Sequence, residues 1–107
     1  MREFFTPPNH HLFKALKICD SIDPSIQDCA IAYIEPSGGG PSPDHIHAHD
    51  HIFTVISGEI IIRIGDLIKH AKPGESIYVS GLEPHSVWNN SNINAKVIGI
   101  SINPPLT

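Results

Sequence analysis

"PDHIHAHDHIF", residues 43–53, sets four of the chain's eight histidines at alternate positions: His45, His47, His49 and His51. On an extended chain successive side chains point to opposite faces, so residues two apart share a face. Imidazoles at that spacing can chelate one ion, with metal–nitrogen bonds of about 2.0–2.2 Å. They could also belong to a polar loop or to a pH-sensitive surface. A His-x-His pair alone does not decide between these readings. The surroundings do.

Working outward, the flanks read as strands. Downstream, "HIFTVISG" (51–58) alternates and is closed by Gly58, and "EIIIRI" (59–64) follows. The pair "GD" at 65 and 66 is a two-residue hairpin signal with glycine first. "LIKH" returns, "KPG" turns again, "ESIYVS" (75–80) is the next strand, "GLEPHSVWNN" carries His85 into another, and "NAKVIGISI" (94–102) is the last. Upstream, "DCAIAYIEP" (28–36) is a strand that Pro36 should end, and "SGGGPSPD" is expected to be a loop framing the histidines. "HLFKALKI" (11–18) suits a short helix or an opening strand, with strand preferred. Phe53, Val55, Ile77 and Val79 are candidate core.

Composition agrees. Eighteen isoleucines against seven aromatic residues, broken at short intervals by ten prolines and eight glycines, describe an all-β chain. Its 107 residues leave room for a single domain, 1–107. About eight short strands with tight turns suggest a barrel or jelly roll, whose closure hides the sheet edges. The net charge of −4, with no basic cluster, argues against nucleic acid. No apolar run is long enough for a membrane span, and the start "MREFFTPPNHH" does not read as an export signal. A cytoplasmic protein is therefore expected, with Cys19 and Cys29 as reduced core or edge residues that would pair only if the fold brought them together.

Two spaced blocks stand out. In the first, Gly39 is followed by five residues, His45-Ile-His47, three residues, His51, six residues and Gly58. In the second, Gly74 leads through a strand and turn to His85, with Asn89 four positions later. These blocks, about 39–58 and 74–89, resemble the paired motifs of the cupin superfamily, and the likeness spans residues 28 to 103. The resemblance implies a double-stranded β-helix (jelly-roll) barrel with a divalent metal at its mouth. Carried across position by position, it implies His45, His47, His51 and His85 as ligands. Two departures are plain: His51 stands where the family has Glu, and Ser80 and Leu82 replace the Pro and second Gly of the second motif.

Desolvation favours the same ligand set. Four imidazoles buried without partners would be costly, and coordination removes that cost. One divalent transition metal per chain is expected. Imidazole-rich sites suit Zn, Ni, Cu and Fe better than Mn. With His51 in place of a carboxylate the ion keeps its full +2 charge and should draw anionic or enolisable ligands.

The remaining polar residues divide less sharply. His10, His11 and His70 are expected at the surface. His49 is expected at the rim, placed to meet a substrate. Asp44, Asp50 and Glu83 could accept imidazole N–H bonds. Phe53, Tyr78 and Trp88 are candidates for either packing or the ligand pocket. Three functions stay open: a metalloenzyme such as a dioxygenase or isomerase acting on a small organic molecule, a non-catalytic binding or sensing module, and a metal that only staples a small barrel. Outward Ile52, Ile56 and Ile61 suggest a homodimer.

Overall fold

The computed structural model describes residues 3–19, 23–46 and 48–103, and for residue 45 the backbone alone. Eight strands follow in order: β1 (His11–Cys19), β2 (Ile26–His45), β3 (Asp50–Ser57), β4 (Ile60–Ile64), β5 (Leu67–Ala71), β6 (Ser76–Val79), β7 (His85–Trp88) and β8 (Ala95–Ile102). Among the described residues there is no helix. All pairings are antiparallel, in the order β5-β4-β7-β2-β8-β3-β6 with β1 added on β2. The sheet curls into a nearly closed jelly-roll barrel. The ambiguous segment 11–18 is a strand, because β2 offers it a free edge.

Alternation explains the inside of the barrel. On β4, Ile60, Ile62 and Ile64 are buried, with Arg63 exposed; on β6, Ile77 and Val79 are buried and Tyr78 is exposed. With Ile34, Val55, Ala71, Val87, Ala95 and Val97 they form one core cluster, against which Phe53 packs from partial burial. Each fully buried aliphatic side chain stabilises the fold by about 1.5–3 kcal/mol relative to exposure. The hairpin between β4 and β5 turns at Gly65, whose φ of 56° is the left-handed value a glycine-first turn needs.

One expectation is overturned. Pro36 does not end the strand, and 37–44 is not a loop: β2 runs on for 20 residues to His45. Over Ile26–Ile34 it pairs with β8, and from Gly39 to His45 it pairs with β7. Proline lacks a ladder donor but tolerates a place where the strand changes neighbours. The change is held by Asn89, which is buried. Its Nδ2 donates to the carbonyls of Ile34 (2.9 Å) and Ile93 (2.7 Å), and its Oδ1 accepts from the N–H (2.9 Å) and Oγ (2.8 Å) of Ser91. Gly39 is required beside it, because any Cβ there would lie 2.1 Å from the Val87 carbonyl oxygen.

Side-chain size decides where the core stops. Neighbouring strands set Ala32, Val97 and Val55 in one row across the barrel wall. The next row is Lys17, Ala30, Gly99 and Phe53. The row after that carries Asp28, Ser101 and His51. Branched residues give way to Ala and Gly, and packed interior gives way to open space.

Cys19 and Cys29 are direct partners across β1 and β2, after a register shift between Lys17 and Cys19. Both are free thiols. The fold itself brings them together.

Candidate metal and ligand site

The open end of the barrel holds a cavity of about 390 Å³. His49, His51 and His85 line it at one part of its wall, with Phe5, Phe13 and Phe53 among its apolar lining and Lys17 and Asp28 also reaching it. A volume of this order suits a small organic molecule. Lys17 and Asp28 form an ion pair at 3.9 Å.

His85, on β7, is 2% exposed. Its Nδ1 lies 2.8 Å from the main-chain carbonyl of Glu83. A carbonyl only accepts, so Nδ1 carries the hydrogen of the neutral ring and Nε2 keeps its lone pair. This is the usual way a ligating histidine is oriented. Glu83 thus serves through its backbone, where the sequence suggested its carboxylate.

His51, on β3, is half-buried and stacks on Phe53, with ring centroids 5.1 Å apart. Its Nδ1 is 3.5 Å from Ser101 Oγ. Its centroid lies 5.3 Å from that of His85 and 5.0 Å from that of His49. Two imidazoles sharing one ion through bonds of about 2.1 Å have centroids roughly 5 Å apart in a tetrahedral arrangement. The pair His51 and His85 therefore fits a shared divalent ion. The backbone of His45 is the register partner of His85, which sets residue 45 at the same end of the barrel. His47 and the His45 side chain lie outside the described residues, and among the described ones no three ligand-type side chains meet at one point.

The other candidates fall at different distances from this cluster. Phe53 and His49 line the cavity. Tyr78 is exposed and donates its O–H to Asp50, whose other oxygen accepts the Gly81 N–H at 2.9 Å. These bonds, Tyr78 first, hold the Asp50 carboxyl below its ordinary value and raise the Tyr78 hydroxyl. Asp50 thereby pins the turn before β7 to the start of β3. Trp88 donates to Ser86 Oγ at 2.8 Å and packs beside the His11 ring, away from the cavity lining. Asp44 is half-buried on β2, and His70 is exposed on β5.

His10 is the correction. It was expected at the surface, yet it lines the cavity together with Phe5 and Pro7. The segment that carries it folds back on the barrel. Phe5 and Ala15 exchange two backbone bonds (2.9 and 2.8 Å), Thr6 Oγ donates to the Phe13 carbonyl (2.9 Å), and the Ser42 N–H donates to the Asn9 carbonyl (3.0 Å). Phe13, Ala15 and Lys17, also in the lining, share one face of β1 by alternation. His10 had no such signal, because its place depends on contacts distant in sequence.

Residues 32–102 match the model of the cupin domain family, Cupin_2. The chain belongs to the cupin family. Solved cupin barrels resemble it throughout. The polyketide cyclase RemF from Streptomyces resistomycificus superposes with a TM-score of 0.77 at 20% identity, over 98% of this chain and 76% of that one. A predicted oxalate decarboxylase from Thermotoga maritima gives 0.80 at 15% identity, over 97% and 93%. The cupin domain of an XRE family transcriptional regulator from Enterobacter cloacae gives 0.74 at 19% identity, over 90% and 100%. At these identities the likeness is one of fold. No curated protein matches the sequence. Among this cupin's described residues no helix is long and apolar enough to cross a membrane.

Proposed function

We propose that this cupin holds one divalent transition metal through His45, His47, His51 and His85 and uses it on a small, largely apolar organic molecule, as a dioxygenase or isomerase. The observation that carries this reading is the cavity of about 390 Å³ opening directly from His51 and His85. A metal kept only as a staple needs no such space. A bound ion would supply Lewis acidity toward an oxygen of the substrate. The chain's own residues do the rest. Phe5, Phe13 and Phe53 offer a ring apolar walls, Glu83 orients His85 through its carbonyl, and Lys17 with Asp28 offers a polar contact.

Gly99 shapes the space. A methyl group there would stand 3.3 Å from the Phe53 ring, so glycine leaves Phe53 in place against His51. The test is metal analysis of purified protein, followed by an oxygen-uptake and product screen with diketones, phenols and thiols. Turnover that disappears in His85→Ala supports the enzyme. A protein that purifies without metal and gains none from Zn, Ni, Fe or Cu overturns the reading. A second reading, a sensing module, is favoured by the match to a regulator's cupin domain along its whole length. Tight binding of a screened compound without turnover would select it.

A further inference from the structure

Of the histidines in the cavity, one belongs to neither cupin motif. His10 comes from the segment that precedes β1 and reaches the space that His49, His51 and His85 line from elsewhere. Its ring is held on three sides. Nδ1 lies 2.8 Å from the carbonyl of Pro8, and the ring meets Phe13 edge-on with centroids 4.7 Å apart. Behind it is Gly40, where a Cβ would lie 2.8 Å from His10 Cγ. Only glycine admits the ring in this place.

The Pro8 carbonyl decides the tautomer. It can only accept, so Nδ1 bears the hydrogen and Nε2 presents a bare lone pair. His85 is held by the same device, a carbonyl two residues upstream at the same distance. Burial, the largest cause, keeps the His10 imidazole below the ordinary histidine value, and neighbouring His11 adds to this; the Pro8 and Pro7 backbone bonds oppose it. Near neutral pH the ring is therefore uncharged, and its Nε2 is open to a proton. The other titratable groups of the cavity are Lys17 on β1, Asp28 on β2, His49, His51 on β3 and His85 on β7.

We propose that His10 is the proton acceptor of this cavity, and that the molecule it serves is a phenol or enol of about one to two rings. This rests on the reading of the cavity as a ligand site beside a histidine-held ion. An acidic hydroxyl on a ring lying against Phe13 comes beside His10, whose imidazole meets that phenyl edge-on at 4.7 Å and whose Nε2 can accept its proton. The O–H bond breaks, the proton passes to Nε2, and the electron pair stays on the ligand oxygen. The imidazolium so formed keeps its Nδ1 bond to Pro8, and returning the proton to carbon or oxygen of the product restores the neutral ring. A fixed, neutral imidazole is the usual group for such a transfer.

The test uses the full chain labelled with nitrogen-15 at histidine, with 4-nitrophenol as probe, in metal-free and zinc-loaded forms. The parent should show a bare His10 Nε2 that becomes protonated when the probe is added near pH 7. The probe's absorption should report more phenolate than in buffer at the same pH. His10→Gln keeps a hydrogen-bonding side chain but takes up no proton. It should bind the probe as the neutral phenol, shifting the ratio of phenolate to phenol by roughly tenfold or more, the equivalent of one pKa unit. Its zinc content should equal the parent's, as should that of His10→Phe, which checks that the segment still packs.

Several results would overturn the proposal. They are an Nε2 that does not respond while the His51 or His85 ring does, equal ionisation of the probe on parent and His10→Gln, no binding of the probe at all, and loss of zinc in His10→Gln, which would make residue 10 a ligand. A parent that takes up no zinc would defeat the metal reading alone, and the spectra of the metal-free chain would still decide the role of His10.

Discussion

His51 and His85 come from strands that two others separate in the sheet, yet their ring centroids are 5.3 Å apart. Curvature of the barrel, not adjacency along the chain, makes them a pair. Ala at either position should lower affinity for a divalent ion by at least about tenfold, as should Ala at His45 or His47. His49→Ala should leave it unchanged, although its ring is as near to His51. Equilibrium dialysis with zinc on each variant checks this. In the same series His51→Glu should still bind, with preference shifted toward Mn(II), because a carboxylate is the harder donor. Loss on His49→Ala with retention on His51→Ala would move the register of the site.

Gly39 and Gly65 separate crowding from backbone strain. Ala at Gly39 meets the Val87 carbonyl at 2.1 Å, whereas Ala at Gly65 meets nothing within 4 Å and suffers only its φ of 56°. Gly65→Ala should cost about 1–2 kcal/mol. Gly39→Ala should cost about 3–5 kcal/mol, since overpacking adds to strain. Urea denaturation midpoints of the two variants give the comparison, and equal losses would contradict it.

Directly opposed residues of antiparallel strands have Cα atoms about 4.5–5.5 Å apart, within the span of a disulfide. Cys19 and Cys29 should therefore form one when oxidised glutathione accepts their two electrons. Desolvation first, and the neighbouring Cys19 next, hold the Cys29 thiol above its ordinary value. Oxidation should thus be slow near neutral pH and accelerate as the solution becomes alkaline. Mass spectrometry should show the loss of two hydrogens, absent in Cys29→Ser. Closing this short loop should add about 2–3 kcal/mol to stability.

The depressed His10 imidazole gives stability a pH dependence of definite sign. Above the unfolded value, about 6.5, neither state is protonated and folding is undisturbed. As pH falls from there through the lower folded value, the unfolded chain takes up the proton first and stability is lost. In metal-free protein the melting temperature should fall between about pH 7.5 and about pH 5, and His10→Gln should reduce that fall. An identical fall in both would mean that residue 10 titrates as in the unfolded chain.

Much of this cupin was legible in its sequence, for reasons that differ by residue. Ile60, Ile62 and Ile64, or Ile77 and Val79, announce their strands because alternation follows from the pleat alone. The spaced pattern from Gly39 to Asn89 was legible because its ends answer local demands, the tight approach at Gly39 and the buried hydrogen bonds of Asn89. Residues 37–44 misled because glycine and proline mark turns on average, whereas here β7 supplies the ladder that makes them a strand. The meeting of Cys19 with Cys29 depends on a one-residue register shift, and the inward place of His10 on Gly40. No local pattern encodes either.

The change of partner along β2 also bears on how the molecule comes apart. The same strand supplies the ladder for β8 before Pro36 and for β7 after it. Peeling β2 away would strip an edge from both strands at once and free the Asn89 knot between them. The two sides of the barrel consequently have no independent melting of their own. Amide hydrogens on β7 and β8 should exchange through a single opening event, with the same free energy. The long strand with its glycines and prolines, which by composition looks like the softest part of the chain, is the part whose release unfolds the rest.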